Sequence, residues 1–410
     1  MNNNWKKTFA IIWSGQLFST LTSSIVGYAV VFWLSLKTES AEVLAYAMIA
    51  TLLPQLVLGL FTGVFVDRWN RKLTMICADS FIAICTAVMC LMFYFDSVTI
   101  WQIYLLLILR SAGSAFHTPA MQASVPLLAP ESELMRVAGV NQMIFSISNI
   151  AGPALAALLI NIMDMTYVLS LDIIGAVIAC TSLLFVVIPN PEKKDTDKLP
   201  NILGEIKEGL HAIFGTQGLK WVLLCDIAML FFIIPISALF PLITLTHFMG
   251  DTYDMSIVEA SWGVGIFIGG ALIGIKKIKM MNKIVLIGTF SIIIGLTSLL
   301  SGLLPANGLI WFIALTGISG IGGAIWNSAF TVILQTKIDP SLLGRAFSTY
   351  DSLMLAPSIP GLLATGFIAE AIGITNVFII AGIAICLIGC LFFIIPSVVS
   401  LGKSTVGKYE

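Results

Sequence analysis

Charged side chains are scarce in this sequence of 410 residues. Asp, Glu, Lys and Arg together make up 10% of the chain, hydrophobic residues make up 58%, and the mean hydropathy is +1.00. A water-soluble protein of this size could not cover its surface with so few polar groups, so lipid is the expected solvent. Strand-like alternation is also absent from the sequence, and an open sheet would leave backbone groups unpaired in hydrocarbon. The sequence therefore predicts an all-α polytopic membrane protein.

Sequence patterns for metal, disulfide and nucleotide chemistry are lacking as well. The seven cysteines all fall in apolar segments, without a CxxC pair or a nearby histidine pair, and are interpreted as packing residues. The phosphate-binding pattern GxxxxGK[ST] fails at Lys403, because Ser397 occupies its first position. The motifs HExxH and GxSxG do not occur. We therefore expect no enzyme activity, no metal and no cofactor, with energy drawn from an ion gradient, most simply protons.

Twelve apolar segments are long enough to cross a bilayer core of roughly 30 Å. They fall near residues 9–36, 43–66, 73–95, 101–125, 138–161, 166–188, 219–246, 257–275, 284–304, 309–335, 345–369 and 374–397. Nineteen of the 21 Lys and Arg residues lie at the termini and on the even-numbered connections. Because cytoplasmic loops are enriched in Lys and Arg, this asymmetry predicts twelve transmembrane helices with both termini in the cytoplasm. The first segment is interpreted as a span, since no small-residue cleavage site follows it.

One long polar stretch, residues 190–218, divides the twelve segments into two sets of six. The predicted domains are an N-terminal six-helix bundle at 1–190, a cytoplasmic linker with an amphipathic helix at 191–217, and a C-terminal six-helix bundle with a short tail at 218–410. The two halves echo each other weakly, since a Pro followed by an Arg opens the helix after the fourth segment of each half. Parallel six-helix repeats place a substrate site at their interface.

The connection after the second segment carries a specific motif. It reads Gly63-Val64-Phe65-Val66-Asp67-Arg68-Trp69-Asn70-Arg71-Lys72. This pattern is similar to the GxxxDRxxR[RK] loop of the major facilitator superfamily, so the resemblance implies the major facilitator fold. In that family the loop resembles a latch that holds the outward-facing state, formed here by Gly63, Asp67, Arg68, Arg71 and Lys72. Ordinary topogenic charge is the alternative interpretation.

The fourth segment contains an arginine in the middle of an apolar run. Leu106-x-x-x-Arg110-x-x-Gly113 is similar to the intramembrane arginine motif of the same family. An arginine at this depth costs roughly 2.5–3.5 kcal/mol on insertion scales, so Arg110 needs an internal partner or a water-filled cavity. His117 follows seven residues later, only about 20° around the helix, and lines either a cytoplasmic cavity or a packed interior.

The fifth segment contains Gly152-Pro153, which resembles the GxxxGP motif of drug antiporters. Ser148 replaces the first glycine, so the match is partial. A proline kink with small neighbours suits a gating or sealing helix. The alternative is a proline that the membrane helix tolerates without a special role.

Four aspartates lie inside predicted spans. Burial in a medium of low dielectric favours the protonated form of a carboxyl group, which is the property that a proton-coupled antiporter requires. We predict Asp172, Asp226 and Asp351, together with Arg110, as candidates for proton coupling. Asp79 lies nearer the cytoplasmic surface and is expected to pair with the basic loop.

The chain as a whole resembles the macrolide-efflux (Mef-type) branch of the drug:proton antiporters. The resemblance is carried by Asn4-Trp5-Lys6-Lys7, Ile12-Trp13-Ser14-Gly15-Gln16, Val66-Asp67-Arg68, Arg110-Ser111-x-Gly113-x-Ala115-Phe116-His117-Thr118-Pro119-Ala120, Ile173-x-Gly175-Ala176, Ser237 to Ile243 and Leu343-Gly344-Arg345. It implies export of amphiphilic drugs, macrolides first, in exchange for protons across a bacterial cytoplasmic membrane. It also implies that Gln16, Arg110 and His117 contact substrate in a central cavity. Asp172 and Arg110 match that branch, whereas Asp226 and Asp351 rest on burial alone.

The expected partners are an amphiphilic small molecule, protons and the lipid bilayer, with no nucleic acid and a functional monomer. Two other functions stay open at this point. The chain could export an endogenous solute such as a siderophore, a lipid or a sugar. It could also be a membrane partner subunit of an ATP-driven pump.

Overall fold

The computed structural model describes most of the chain. The described residues are 5–66, 69–128, 130, 134–188, 211, 214–215, 218–273, 281–338, 350 and 353–406. Within these ranges the regular structure is helical, and no β-strand occurs. The all-α prediction is therefore confirmed for the part of the chain that the structure describes.

Six of the described helices precede the predicted linker. They are α1 (Trp5–Thr38), α2 (Ala41–Val66), α3 (Arg71–Tyr94), α4 (Ile100–Leu128), α5 (Leu134–Ile162) and α6 (Met165–Leu184). Asn70 caps α3 by accepting a hydrogen bond from the backbone N–H of Leu73 at 3.0 Å. Each helix lies close to its predicted span.

Eight further helices follow the predicted linker within the described residues. They are α7 (Leu219–Ala238), α8 (Phe240–Thr246), α9 (Thr252–Ile273), α10 (Lys283–Leu303), α11 (Leu309–Lys337), α12 (Ser358–Ile372), α13 (Ile374–Ile394) and α14 (Pro396–Val406). The predicted seventh span, 219–246, is interrupted at Leu239 and forms two helices. Pro241 lies in the first turn of α8, where its missing N–H costs no hydrogen bond. A helix that begins just before Pro241 therefore tolerates this proline.

Eleven of the described helices are long and apolar enough to cross a membrane. The chain is therefore a multi-pass membrane protein. The helix α4, which corresponds to the fourth predicted span, is not among these eleven. Its hydropathy is lowered by Gln102, Arg110 and His117. The count of twelve spans and the cytoplasmic position of both termini stay predictions.

The helices expose large apolar side chains on one side and bury small or polar groups on the other. On α3, Ile84 and Leu91 are 62% and 55% exposed, whereas Asp79 and Thr86 are 4% and 0% exposed. A helix in water shows the reverse pattern, so the exposed side of α3 faces lipid.

The chain forms two compact units. The first comprises Met1–Trp33 and Ala47–Pro200, and the second comprises Leu34–Tyr46 and Asn201–Glu410. Most of the predicted linker, with its amphipathic helix, lies outside the described residues. The domain boundaries predicted from the sequence therefore stay predictions.

The same packing pattern recurs in the two units. In the first unit α3 packs against α4 and α6, and in the second unit α10 packs against α11 and α13. These helices are the third, fourth and sixth predicted spans of their halves. The recurrence is what a repeat of six helices requires.

Candidate functional site

The predicted arginine of α4 and the predicted aspartate of α6 form an ion pair inside the first unit. Nη1 of Arg110 lies 2.5 Å from Oδ2 of Asp172. The two residues are 9% and 1% exposed, respectively. A charge buried in a membrane protein needs such a partner, because an isolated ion in a medium of low dielectric is very costly.

Two hydroxyl groups complete the surroundings of the Asp172 carboxylate. Thr86 on α3 donates to Oδ2 at 2.7 Å, and Ser23 on α1 donates to Oδ1 at 2.5 Å. Arg110 also donates to the hydroxyl oxygen of Thr86. Side chains from α1, α3, α4 and α6 therefore meet at one buried carboxylate. We call Ser23, Thr86, Arg110 and Asp172 the α4–α6 cluster.

Glycines bring the helices of the α4–α6 cluster close together. A Cβ atom at Gly113 of α4 would lie 2.7 Å from Cγ1 of Ile82 on α3. A Cβ atom at Gly175 of α6 would lie 3.2 Å from the carbonyl oxygen of Phe18 on α1. Larger residues at either position would separate the helices and move the hydroxyl donors away from Asp172.

A histidine and an aspartate lie close together further along α4 and α3. Nε2 of His117 on α4 is 3.3 Å from Oδ1 of Asp79 on α3, without hydrogen-bond geometry. His117 lies seven residues after Arg110, and Asp79 lies seven residues before Thr86. Seven residues are about 10 Å along a helix, so the two antiparallel helices carry polar pairs at two matching levels. Asp79 therefore contacts His117, whereas the described basic residues of the loop, Arg71 and Lys72, bind backbone carbonyls.

The described part of the loop motif binds backbone carbonyls of the first unit. Nη1 of Arg71 donates to the carbonyl of Ala123 on α4 at 2.5 Å. Nζ of Lys72 donates to the carbonyl of Val186, just beyond α6, at 2.8 Å. Such bonds satisfy carbonyls near helix C-termini. Asp67 and Arg68 lie outside the described residues, and Gly63 lies in α2, so the latch stays a prediction.

The predicted antiporter motif lies where α5 approaches α1. A Cβ atom at Gly152 would overlap the hydroxyl oxygen of Ser24 and lie 3.1 Å from its Cβ atom. Ser24 donates to the carbonyl of Ser148 at 2.8 Å. Pro153 lies inside α5 and removes one backbone donor from the helix. Gly152 is therefore a close-contact position between α1 and α5.

Gln16 on α1 is completely buried, at 0% exposure. Neither its Oε1 nor its Nε2 atom has a hydrogen-bond partner among the residues that the structure describes. Leaving a buried amide without hydrogen bonds costs free energy. We therefore expect the Gln16 amide to bind a hydrogen-bonding partner during transport.

The second unit contains a buried carboxyl group of a different kind. Asp226 on α7 is 0% exposed, and its Oδ1 atom accepts a hydrogen bond from the indole N–H of Trp326 on α11 at 3.2 Å. Oδ2 of Asp226 has no hydrogen-bond partner in the described part of the chain. Asp351, the third predicted coupling candidate, lies outside the described residues.

The sequence reasoning missed a carboxyl group in the eighth predicted span. Glu259 lies inside α9, partly buried, and makes no hydrogen bond or ion pair with any residue that the structure describes. Glu259 falls within the predicted span 257–275, so the hydropathy pattern that marks the four aspartates marks this carboxyl group as well. Among the described residues no cluster of three or more His, Cys, Asp or Glu side chains could hold a metal ion.

Comparisons with known proteins agree with this architecture. A model of the Major Facilitator Superfamily matches residues 12–356. Macrolide efflux protein A of Streptococcus pyogenes is 37% identical over 401 residues, with 98% of both chains covered. Macrolide efflux protein A of Enterococcus faecalis is 38% identical over 315 residues, which cover 77% of this chain and 97% of the relative.

A solved structure shows the same fold. The crystal structure of a bacterial homologue of the human lysosomal transporter Spinster aligns with a TM-score of 0.74 at 13% identity, covering 98% of each chain. The resemblance inferred from the sequence motifs is therefore confirmed. The chain belongs to the Major Facilitator Superfamily of transporters, in the branch that contains the streptococcal and enterococcal macrolide efflux proteins.

Proposed function

We propose that this chain is a secondary active transporter that exports amphiphilic drugs, macrolide-type antibiotics first, in exchange for protons by alternating access. The observation that carries the proposal is the buried pair of Arg110 and Asp172 in a close relative of macrolide efflux proteins. Ionisable residues inside a membrane span are energetically costly, and where they occur in transporters they usually take part in transport.

In the α4–α6 cluster a proton and the guanidinium of Arg110 compete for the carboxylate of Asp172. Asp172 either pairs with Arg110 or carries a proton, and in the second state Arg110 loses its counter-charge. Thr86 contacts both groups, so a change at either one alters the packing of α3 against α4 and α6. Proton binding at Asp172 would thereby bias the conformation of the first unit.

The pair of His117 and Asp79 extends this role along α4. Imidazole exchanges protons near neutral pH, and the pair lies about 10 Å along the helix from Arg110. We propose that His117 passes protons between the cytoplasm and the α4–α6 cluster. Gln16, with two unpaired amide atoms, is the proposed hydrogen-bonding contact for substrate in the first unit.

We further propose that α4 also crosses the membrane, which brings the number of spans to twelve. Both termini then lie in the cytoplasm of a bacterium. The 29 residues of α4 give a helix of about 44 Å, longer than the roughly 30 Å hydrocarbon core. Its charged Arg110 has Asp172 as a partner, which makes its position in the membrane acceptable. The distribution of Lys and Arg supports this orientation. A functional monomer in two six-helix bundles, without a resident cofactor, completes the proposal.

Drug accumulation in living cells tests the proposed function. Expression in a macrolide-sensitive bacterium should lower the accumulation of a radiolabelled macrolide, and an uncoupler should restore it. The matched control is cells that carry the empty vector. Unchanged accumulation of macrolides and of other amphiphilic drugs would contradict the proposal.

Reconstitution tests whether the chain works alone. The purified protein in lipid vesicles should accumulate labelled macrolide when a pH gradient is imposed, and should not do so when an ionophore collapses that gradient. A partner subunit of an ATP-driven pump would show no transport by itself in this assay.

A further inference from the structure

Three helices of the first unit each carry two polar side chains at an interval of seven residues. The pairs are Gln16 and Ser23 on α1, Asp79 and Thr86 on α3, and Arg110 and His117 on α4. Seven residues are about 10 Å along a helix and about 20° around it, so both members of a pair face the same side. One member of each pair belongs to the α4–α6 cluster. We call the other three, Gln16, Asp79 and His117, the second polar level.

Helix α6 carries a methyl group, and not a carboxyl group, where it passes the second polar level. A Cβ atom at Gly15, which precedes Gln16, would lie 3.3 Å from the Cα atom of Ala179. Ala179 lies seven residues after Asp172, on the same side of α6. The carboxylate that lies between α1 and α3 in the α4–α6 cluster therefore has no counterpart on α6 at the second polar level.

Helix α3 meets α6 at the same level. Ser80, which follows Asp79, has its Oγ atom 3.8 Å from Sγ of Cys180, the residue after Ala179. Asp79 in turn contacts His117 on α4. Side chains from α1, α3 and α4 therefore converge beside Ala179.

The side chains at the two levels are complementary in length. In the α4–α6 cluster the short side chains of Ser23 and Thr86 both donate to the aspartate of α6, which bridges α1 and α3. At the second polar level α6 contributes only the methyl group of Ala179, whereas α1 and α3 contribute the longer side chains of Gln16 and Asp79. A bridge between α1 and α3 at this level must therefore come from their own side chains.

The second polar level is unpaired in the described conformation. Gln16 and Asp79 are 0% and 4% exposed. Neither amide atom of Gln16, nor Oδ2 of Asp79, nor Nε2 of His117 has a hydrogen-bond partner among the described residues. Unpaired buried polar atoms cost free energy, so these side chains are expected to pair with one another at another step of transport.

We propose that Gln16 and Asp79 form a second bridge between α1 and α3, in which the Gln16 amide donates to Oδ2 of Asp79 while His117 donates to Oδ1. The bridge is open in the described conformation and closes when α1 moves toward α3 during transport. This inference rests on the proposed function, in which the same Gln16 amide contacts substrate. Substrate bound to that amide therefore holds the bridge open, and release of the substrate lets it close.

A double-mutant cycle tests the bridge. In vesicles that contain the purified full chain, Gln16→Leu and Asp79→Leu should each reduce macrolide transport about tenfold, the effect of one lost hydrogen bond to a charged group. The double variant should transport no worse than either single variant, because the bridge is lost only once. The melting temperature of Gln16→Leu should not fall, since leucine replaces an amide that is unpaired in the described conformation.

An exchanged pair and a control variant complete the cycle. Gln16→Asp combined with Asp79→Gln should recover part of the transport that Gln16→Asp alone loses, because the amide and the carboxyl group then face each other in reverse. The control is Ser14→Ala on the exposed side of α1, where the hydroxyl bonds only the carbonyl of Ile11 within the same helix. It should transport like the wild type.

Chemical cross-linking tests the bridge without transport. In a chain without its native cysteines, Gln16→Cys and Asp79→Cys should be joined by a short bifunctional thiol reagent in membranes, whereas Ser14→Cys and Asp79→Cys should not. Absence of the first cross-link, or losses in the cycle that multiply, would overturn the bridge while the exporter function stands. If the wild type transports no macrolide, the proposed function fails, and cross-linking alone decides whether the bridge forms.

Discussion

Arg110 on α4 and Asp172 on α6 lie 2.5 Å apart and are almost completely buried. The two residues are 62 positions apart in the sequence, and hydroxyl groups from two further helices contact the carboxylate. Removal of one member of a buried ion pair typically costs about 3–5 kcal/mol, because the remaining charge loses its partner. Loss of either side chain is therefore expected to destabilise the first unit.

The first prediction concerns Asp172→Asn. The amide does not ionise at neutral pH, so transport driven by a pH gradient should fall at least about tenfold, and the remaining activity should be independent of pH. Uptake of labelled macrolide into vesicles at a series of imposed pH gradients measures the effect. Unaltered pH dependence would rule out Asp172 as the coupling group.

A double variant separates coupling from stability. Arg110→Gln combined with Asp172→Asn removes both charges, so thermal stability in detergent should recover relative to either single variant. Proton-driven transport should stay lost in the double variant. Recovery of transport together with stability would show that the pair is structural only.

The second prediction concerns the close contact at Gly152. A Cβ atom there overlaps the hydroxyl oxygen of Ser24, so Gly152→Ala should destabilise the purified protein by about 1–3 kcal/mol. Ser24→Ala in the same chain removes that oxygen and should restore part of the loss. The control is Gly27→Ala, where no atom lies within 4 Å of the added Cβ, so stability should be unchanged or slightly higher. Equal effects at Gly152 and Gly27 would contradict the close contact.

The α4–α6 cluster shows what the sequence could and could not predict. Arg110 and Asp172 were each predictable, because a charge in an apolar run stands out against its neighbours. Their pairing was not predictable, because it depends on how α3, α4 and α6 pack. Gly113 has a clear packing role only when Ile82 is seen opposite it. The helix positions follow from hydropathy, whereas contacts between helices depend on three-dimensional packing.

In the second unit, the partner of Asp226 and the break between α7 and α8 could not be predicted from hydropathy. The partner of Asp226 is the indole of Trp326, which lies 100 residues away in the sequence, and no sequence pattern links the two residues. A tryptophan inside a span can also donate its N–H to a buried acceptor. The break between α7 and α8 was missed as well, because Leu239 is apolar and hydropathy does not register a turn there.

The third prediction concerns Asp226 in the second unit. In Asp226→Asn the side-chain carbonyl still accepts the hydrogen bond from Trp326, so the protein should insert at normal abundance. The asparagine side chain does not ionise, so proton-driven transport should fall about tenfold if Asp226 takes part in coupling. Trp326→Phe is the matched structural variant, since it removes the donor and should cost about 1–3 kcal/mol of stability. Normal transport by Asp226→Asn would assign Asp226 a structural role.

The last prediction tests whether α4 crosses the membrane. In a chain without its native cysteines, Ser97→Cys lies between α3 and α4, and Asp164→Cys lies between α5 and α6. Both native side chains are exposed, so both cysteines should react with an impermeant maleimide added to intact cells. Ser400→Cys on α14 should react only after the cells are permeabilised, as expected for a cytoplasmic C-terminus. If α4 stayed on one side while α5 crossed, the cysteines at 97 and 164 would lie on opposite sides. Labelling of only one of them in intact cells would therefore reject the twelve-span topology and, with it, the membrane position assigned to Arg110.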